Sequence, residues 1–241
     1  MEHKSFYYGD ELIQFKVSKR LGQSTRVLIK VYPNGVVEAK APANASKDEV
    51  LAAVKKRGRW IHKKLVQFRS QSEWVVPRQY VSGETHYYLG KQYMLKVRVA
   101  PREAQQVKLL RGKLEVSVQQ KSPKKVRELL NNWYKARAKE VFCKRLAAML
   151  LEARWVAITP ALRILTMKTQ WGSCSPLGRL TLNPHLVKAS RESIDYVILH
   201  ELCHLAEHNH SERFYRLMHQ VMPNWETVKE RLDNMAMVIL H

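Results

Sequence analysis

Cysteine is scarce in this 241-residue chain: three residues, Cys143, Cys174 and Cys203, with no C-x-x-C spacing. That excludes a disulfide framework and an all-cysteine zinc site. Each thiol reads as a small packing side chain. Glycine and proline number nine each and are nowhere gathered into a flexible linker. No apolar run approaches the ~18 residues of a membrane span. The opening MEHKSFYYGDELIQF lacks the apolar stretch of a secretory signal. The expectation is a cytoplasmic protein with no membrane partner. Acidic residues are outnumbered two to one, 21 against 42, for a net charge of +21.

Hydrophobic residues make up 45% of the chain, with six Trp, ten Tyr and five Phe, enough for a packed core and too many for a disordered chain. The charge is unevenly spread. Residues 1–145 hold 32 of the basic and 12 of the acidic residues, while residues 146–241 are close to neutral. A field of that sign attracts polyanions, so the basic N-terminal half is a candidate for nucleic-acid contact.

The first hundred residues read mostly as strands. RVLIKVYPNGVVEAKAP alternates on both sides of Asn34-Gly35, a hairpin signal. A basic amphipathic helix should follow. Ser46 caps it, Asp48 and Glu49 suit its positive end, and Val50, Val54, Ile61, Leu65 and Phe68 share one face. Lys55, Lys56, Arg57, Arg59, Lys63 and Lys64 fill its other positions. THYYLGKQYMLKVRVA and QVKLLRGKLEVSV continue as strands, the latter turning near Arg111-Gly112. A long helix then starts at Ser122-Pro123. No repeat is visible in the sequence. Beyond it come a short strand in LRILTMK, a hairpin turning at 175–178, a helix capped by Ser190, and another capped by Ser211. Pro223 separates these from a last helix.

VILHELCHLAEHNHSERF holds four of the ten histidines. His200, Glu201 and His204 form H-E-x-x-H. Residues four apart on a helix share a face about 6 Å apart along the axis, so both imidazoles can reach one metal. Glu201 can face a water at that metal without ligating it. A third ligand is required for a site with an open position. His210, beyond a break in the helix near His208-Asn209, is the best candidate, and His208 is its competitor. Cys203 points to one side. Three imidazoles with a glutamate base suggest one Zn²⁺ per chain, although imidazole also suits other divalent transition metals.

These stretches, with MKTQWGSCSPLGRLTLNPHL before them, resemble the YgjP-like metallopeptidases, zincins related to the SprT-like and WLM proteases. The resemblance is specific over about residues 160–225 and extends more weakly through KKRGRWIHKKL. It implies His200, His204 and His210 as ligands and Glu201 as general base. It marks Trp171 to Cys174 and Asn183 as a second signature, and the RLTLN strand as a place for an extended substrate to add as a strand. Trp171 can equally plug the core beneath the site, Gly172 relieve a bend and Ser173 bond to local backbone. The ligand spacing also equals that of metzincins, but Glu207 stands at their glycine position.

The expected fold is α+β: an antiparallel β-rich N-terminal region with a basic helix, residues 1–120, then a helical zincin-like core with a small sheet, residues 121–241. The expected function is zinc-dependent hydrolysis of a peptide or protein, using a metal-activated water and Glu201. Lys168, His208 or a backbone N–H would steady the developing oxyanion, and Trp171 and Asn183 would contact substrate. Two alternatives stand beside it: a metal-dependent nucleoside triphosphate phosphohydrolase, and a nucleic-acid-binding protein with a structural zinc. The sequence has no G-x-x-x-x-G-K-[ST] loop for the first, and a structural site has no need of Glu201.

Overall fold

The computed structural model describes residues 2–19, 26–32, 35–72, 78–167 and 170–240. The chain forms two compact units, Met1–Val76 and Pro77–His241, and is α+β throughout. No helix among the described residues is long and apolar enough to cross a membrane.

The first unit has strands β1 (Glu2–Tyr8), β2 (Glu11–Lys19), β3 (Leu28–Val31) and β4 (Val37–Ala41), then helices α1 (Lys47–Lys56) and α2 (Gly58–Ser72). Sheet order is β1-β2-β4-β3. The outer pairs are antiparallel, but β2 and β4 run parallel, which corrects the expected all-antiparallel arrangement. Alternation and turn residues reveal each hairpin; they do not reveal how two hairpins join. The one expected basic helix is two, broken at Arg57 (φ −99°, ψ 9°). Gly58 opens α2 against β1, where an added Cβ would lie 2.9 Å from the Tyr8 ring. The stripe still works as one face: Val50, Val54, Ile61 and Leu65 are buried on Phe6, Ile13, Phe15 and Val37. Ser46 completes a reciprocal capping box with Glu49, worth about 1 kcal/mol.

The second unit opens with β5 (Thr85–Tyr88), β6 (Lys91–Val99), β7 (Gln106–Leu110) and β8 (Lys113–Val118). Its order is β5-β6-β8-β7, with β6 and β8 parallel. The first sheet's topology thus recurs, a repeat invisible to residue comparison because pairing sense depends on turns and not on side-chain identity. Both hairpins turn on adjacent positive-φ residues, Leu89-Gly90 and Arg111-Gly112, as two-residue hairpins require.

Helix α3 (Pro123–Glu152) follows, with Ser122 as cap and Pro123 in its first turn. It buries Val126, Leu130, Tyr134, Ala138, Phe142 and Leu146. Its core is shared with Leu95, Leu114, Val116 and Val118 of the sheet and with every later element. The change from strands to helices near residue 120 therefore falls inside one continuous core. Next come β9 (Leu162–Ile164), β10 (Gly172–Cys174), β11 (Leu180–Leu182), a 3-10 turn (Pro184–Lys188), α4 (Arg191–Ala206), α5 (Glu212–Val221) and α6 (Trp225–Leu240). Ser190 and Ser211 cap α4 and α5 through the Ser193 and Phe214 N–H groups (3.1 and 3.3 Å). Helix α4 is buried nearly all round, from Ser193 to Leu199, as expected of a central helix. It lies against α3, α5, α6 and β10.

Candidate metal centre

The last two turns of α4 deliver His200, Glu201 and His204 to one cavity of about 440 Å³. The helix stops at Ala206, and Glu207 takes extended backbone (φ −147°, ψ 104°). A glycine is not needed there, because that φ lies outside the left-handed region. The chain then turns back, and His210 joins the pair. One ligating atom from each of His200, His204 and His210 lies within 4.8 Å of the others. His210 Nε2 is 3.1 Å from His200 Nε2.

Two features prepare these rings for a cation. Burial, with His204 and His210 adding, pushes the His200 imidazole down to about 3, and burial also lowers His210. Neutral imidazoles with free lone pairs result. His204 Nδ1 lies 3.2 Å from the Glu207 carbonyl; donation there leaves the Nε2 lone pair free. Sequence reasoning missed Phe214. Its ring, fully buried on α5, touches all three imidazoles at centroid distances of 5.0, 4.8 and 4.7 Å. The apolar i, i+4 spacing of Phe214 and Met218 was the available signal.

Glu201 is 5% exposed. Burial pushes its carboxyl up to about 8, while the Cys174 backbone N–H pulls the other way. A cation beside it would pull it down again. The carboxylate fits only because residue 172 is glycine: an added Cβ would meet Glu201 Oε1 at 2.7 Å, its Cγ at 2.9 Å and Val197 Cγ1 at 3.0 Å. Gly172 thus makes room for the carboxylate, beyond the bend relief expected of it.

The other expected residues separate. Trp171 is half-buried, packs on the core and lines the cavity. His208 is exposed and lines the cavity without joining the imidazole cluster. Lys168 lies outside the described residues. Asn183 is fully buried and absent from the cavity wall. Its amide donates to the Met167 and Gln170 carbonyls (2.8 and 3.1 Å) and its Oδ1 accepts the His185 N–H (3.2 Å). It pins the loop that leads to β10. Cys203 is buried and its thiol is raised to about 12 by that burial, as a packing residue's should be. Tyr196, one turn before His200, was not anticipated. It lines the cavity, stacks on Trp225 at 6.5 Å, and burial raises its phenol.

The RLTLN strand is not an edge. β11 pairs with β10 on one side and β9 on the other, so it has no free ladder for an added strand. The outer strand beside the cavity is β10. Trp171 O accepts the Asn183 N–H and Ser175 N–H donates to Arg179 O. Ladder alternation therefore turns the main chain of Gly172 and Cys174 away from β11.

A search of curated protein sequences gives no match. Among solved structures, the abylysin metallopeptidase zymogen of Pyrococcus abyssi is similar over 39% of this chain and 92% of its own, at 24% identity and a TM-score of 0.36. The jannalysin metallopeptidase zymogen of Methanocaldococcus jannaschii is similar over 39% and 96%, at 21% identity and the same TM-score. The YgjP-like metallopeptidase domain matches residues 25–235, and over that span, nearly the whole chain, the protein belongs to the YgjP-like metallopeptidase family.

Proposed function

We propose that this chain is a zinc-dependent peptidase in which His200, His204 and His210 hold the ion and Glu201 is the general base. The observation that carries the reading is the convergence of three imidazoles within 4.8 Å on the cavity that also receives the buried Glu201. A pure structural site would be closed by a fourth ligand. Bound there, Zn²⁺ would supply Lewis-acid polarisation and lower the pKa of a water to about 7.

The remaining work falls to side chains. Glu201 takes the water's proton and returns it to the leaving amine. Gly172 and the Cys174 N–H fix the direction of that carboxylate. Tyr196, whose phenol stays protonated across the neutral range, brings a hydroxyl donor to the cavity where an oxyanion develops. His208 offers a second donor. The outward N–H and C=O of Gly172 on β10 can pair with an extended peptide, and Trp171 lies beside it.

Elemental analysis of the chain, purified without chelator, tests the reading. About one zinc per chain is expected, lost in His204→Ala. Glu201→Gln should keep the metal and lose turnover by at least about a hundredfold. Peptides and nucleoside triphosphates are screened side by side. Hydrolysis of triphosphates alone, or full activity of Glu201→Gln, would overturn the assignment.

A further inference from the structure

The first unit holds a separate groove of about 810 Å³. One wall is four consecutive residues, Arg26 to Ile29. Successive side chains of a strand point to opposite faces. Leu28 and Ile29 lie in β3 and Arg26 and Val27 directly precede it; a cavity that touches both Leu28 and Ile29 therefore meets the strand along its edge. β3 is the outermost strand of its sheet among the described residues. Its ladder phase is fixed, because the Tyr32 N–H donates to Val36 O at 2.8 Å and Lys30 and Leu28 oppose Glu38 and Lys40. Alternation turns the N–H and C=O of Ile29 away from β4, toward the groove.

The opposite wall is Glu49, Ala53, Lys56, Arg57 and Trp60. These positions make one stripe along α1 and into α2. A strand edge facing a helix stripe is the geometry that accepts an extended peptide as an added strand. The groove's charge is one-sided. Arg26, Lys56 and Arg57 stand against one carboxylate, Glu49, whose Oε2 already accepts the Ser46 N–H at 2.8 Å. Trp60, 41% exposed, adds apolar surface. The main-chain edge offers both a donor and an acceptor. A peptide answers both; a phosphodiester backbone has only acceptors and would leave the Ile29 carbonyl unpaired.

We propose that the groove between β3 and the α1–α2 stripe captures an extended acidic peptide segment by strand addition to β3. The metal centre is not involved, so the proposal stands or falls independently of the peptidase assignment.

The test is fluorescence anisotropy on the full chain carrying Glu201→Gln, which leaves the probe intact. The probe is a labelled peptide of about ten residues alternating Val and Glu, at about 0.15 M salt. Three comparison probes are the same peptide N-methylated throughout, its Val–Lys counterpart and a labelled oligodeoxythymidine. Saturable binding of the acidic probe is expected. Lys56→Glu with Arg57→Glu, both exposed positions, should weaken it about tenfold or more, with an unchanged melting temperature as control. The N-methylated probe, which keeps the charge and lacks main-chain donors, should lose binding whether or not that variant folds. No binding of the acidic probe, equal binding of the N-methylated or Lys probe, or tighter binding of the oligonucleotide would each overturn the proposal.

Discussion

A methyl group on residue 172 would sit 2.7 Å from Oε1 of Glu201: the glycine of the WGSC stretch is the space in which the carboxylate stands. Gly172→Ala must therefore push the carboxylate aside, since its other near neighbour, Val197 Cγ1 at 3.0 Å, belongs to the same buried helix. A shift of that order should lower kcat/KM about a hundredfold while zinc content stays at wild-type level. Undiminished activity would show that Glu201 does its work from another position.

Phe214 touches the three imidazoles at once. Phe214→Ala should cost roughly 3–5 kcal/mol in urea unfolding and loosen zinc, because the rings lose the wall that aligns them. Phe214→Leu should recover most of the stability and only part of the zinc affinity. If zinc titration gives the same affinity for all three proteins, the ring's role is confined to packing.

Arg145 reaches from α3 to α4 and holds both oxygens of Asp195, each at 2.6 Å. Asp195 is 8% exposed. Arg145→Ala leaves that carboxylate without its partner and should destabilise the chain by roughly 3–5 kcal/mol. Adding Asp195→Asn should restore a large part of the loss. A double variant no more stable than Arg145→Ala would mean that arginine packing, and not the unpaired charge, sets the cost.

Lys188 carries a buried amine. Its Nζ donates to the Ile239 carbonyl (2.9 Å) and lies 5.0 Å from the Tyr134 ring centroid. Burial, with Arg78 adding, pushes the ammonium from 10.5 down to about 7. Between those values the unfolded chain binds a proton that the folded chain does not. This group therefore makes stability rise with pH from about 7 toward 10, by at most about 1.4 kcal/mol per pH unit. Below 7 both states are charged and it contributes no slope. Lys188→Met should flatten the rise in urea midpoints measured at about pH 6, 7.5 and 9. An equal slope in both proteins would assign it to other groups.

Features carried by residues close in sequence were legible beforehand. The caps Ser46, Ser122, Ser190 and Ser211, the Arg111-Gly112 turn and the H-E-x-x-H spacing all follow from local geometry and stand where expected. Asn34, of the expected Asn34-Gly35 turn, lies outside the described residues, as does Lys168. Features set by distant partners were not legible. Gly58, just after the break at Arg57, is packed against Tyr8 of β1. The role of Gly172 depends on a carboxylate in a later helix. RLTLN, as the strand before the helix, suggests itself for an extended substrate, whereas its two pairing partners leave β10 as the outer strand beside the cavity. Asn183 looked like a substrate contact and is consumed by backbone.

The guanidinium of Arg78 donates to the Thr85 carbonyl and, at 3.1 Å, to that of Val238. Early and late residues of the second unit are thus tied together, and Leu232 of α6 walls the cavity that the three histidines line. On the ribosome, the histidines leave the tunnel before that wall does. A nascent chain ending short of α6 carries all three clustered histidines but lacks one side of the cleft. The order of synthesis therefore places completion of the cleft after every histidine that lines it.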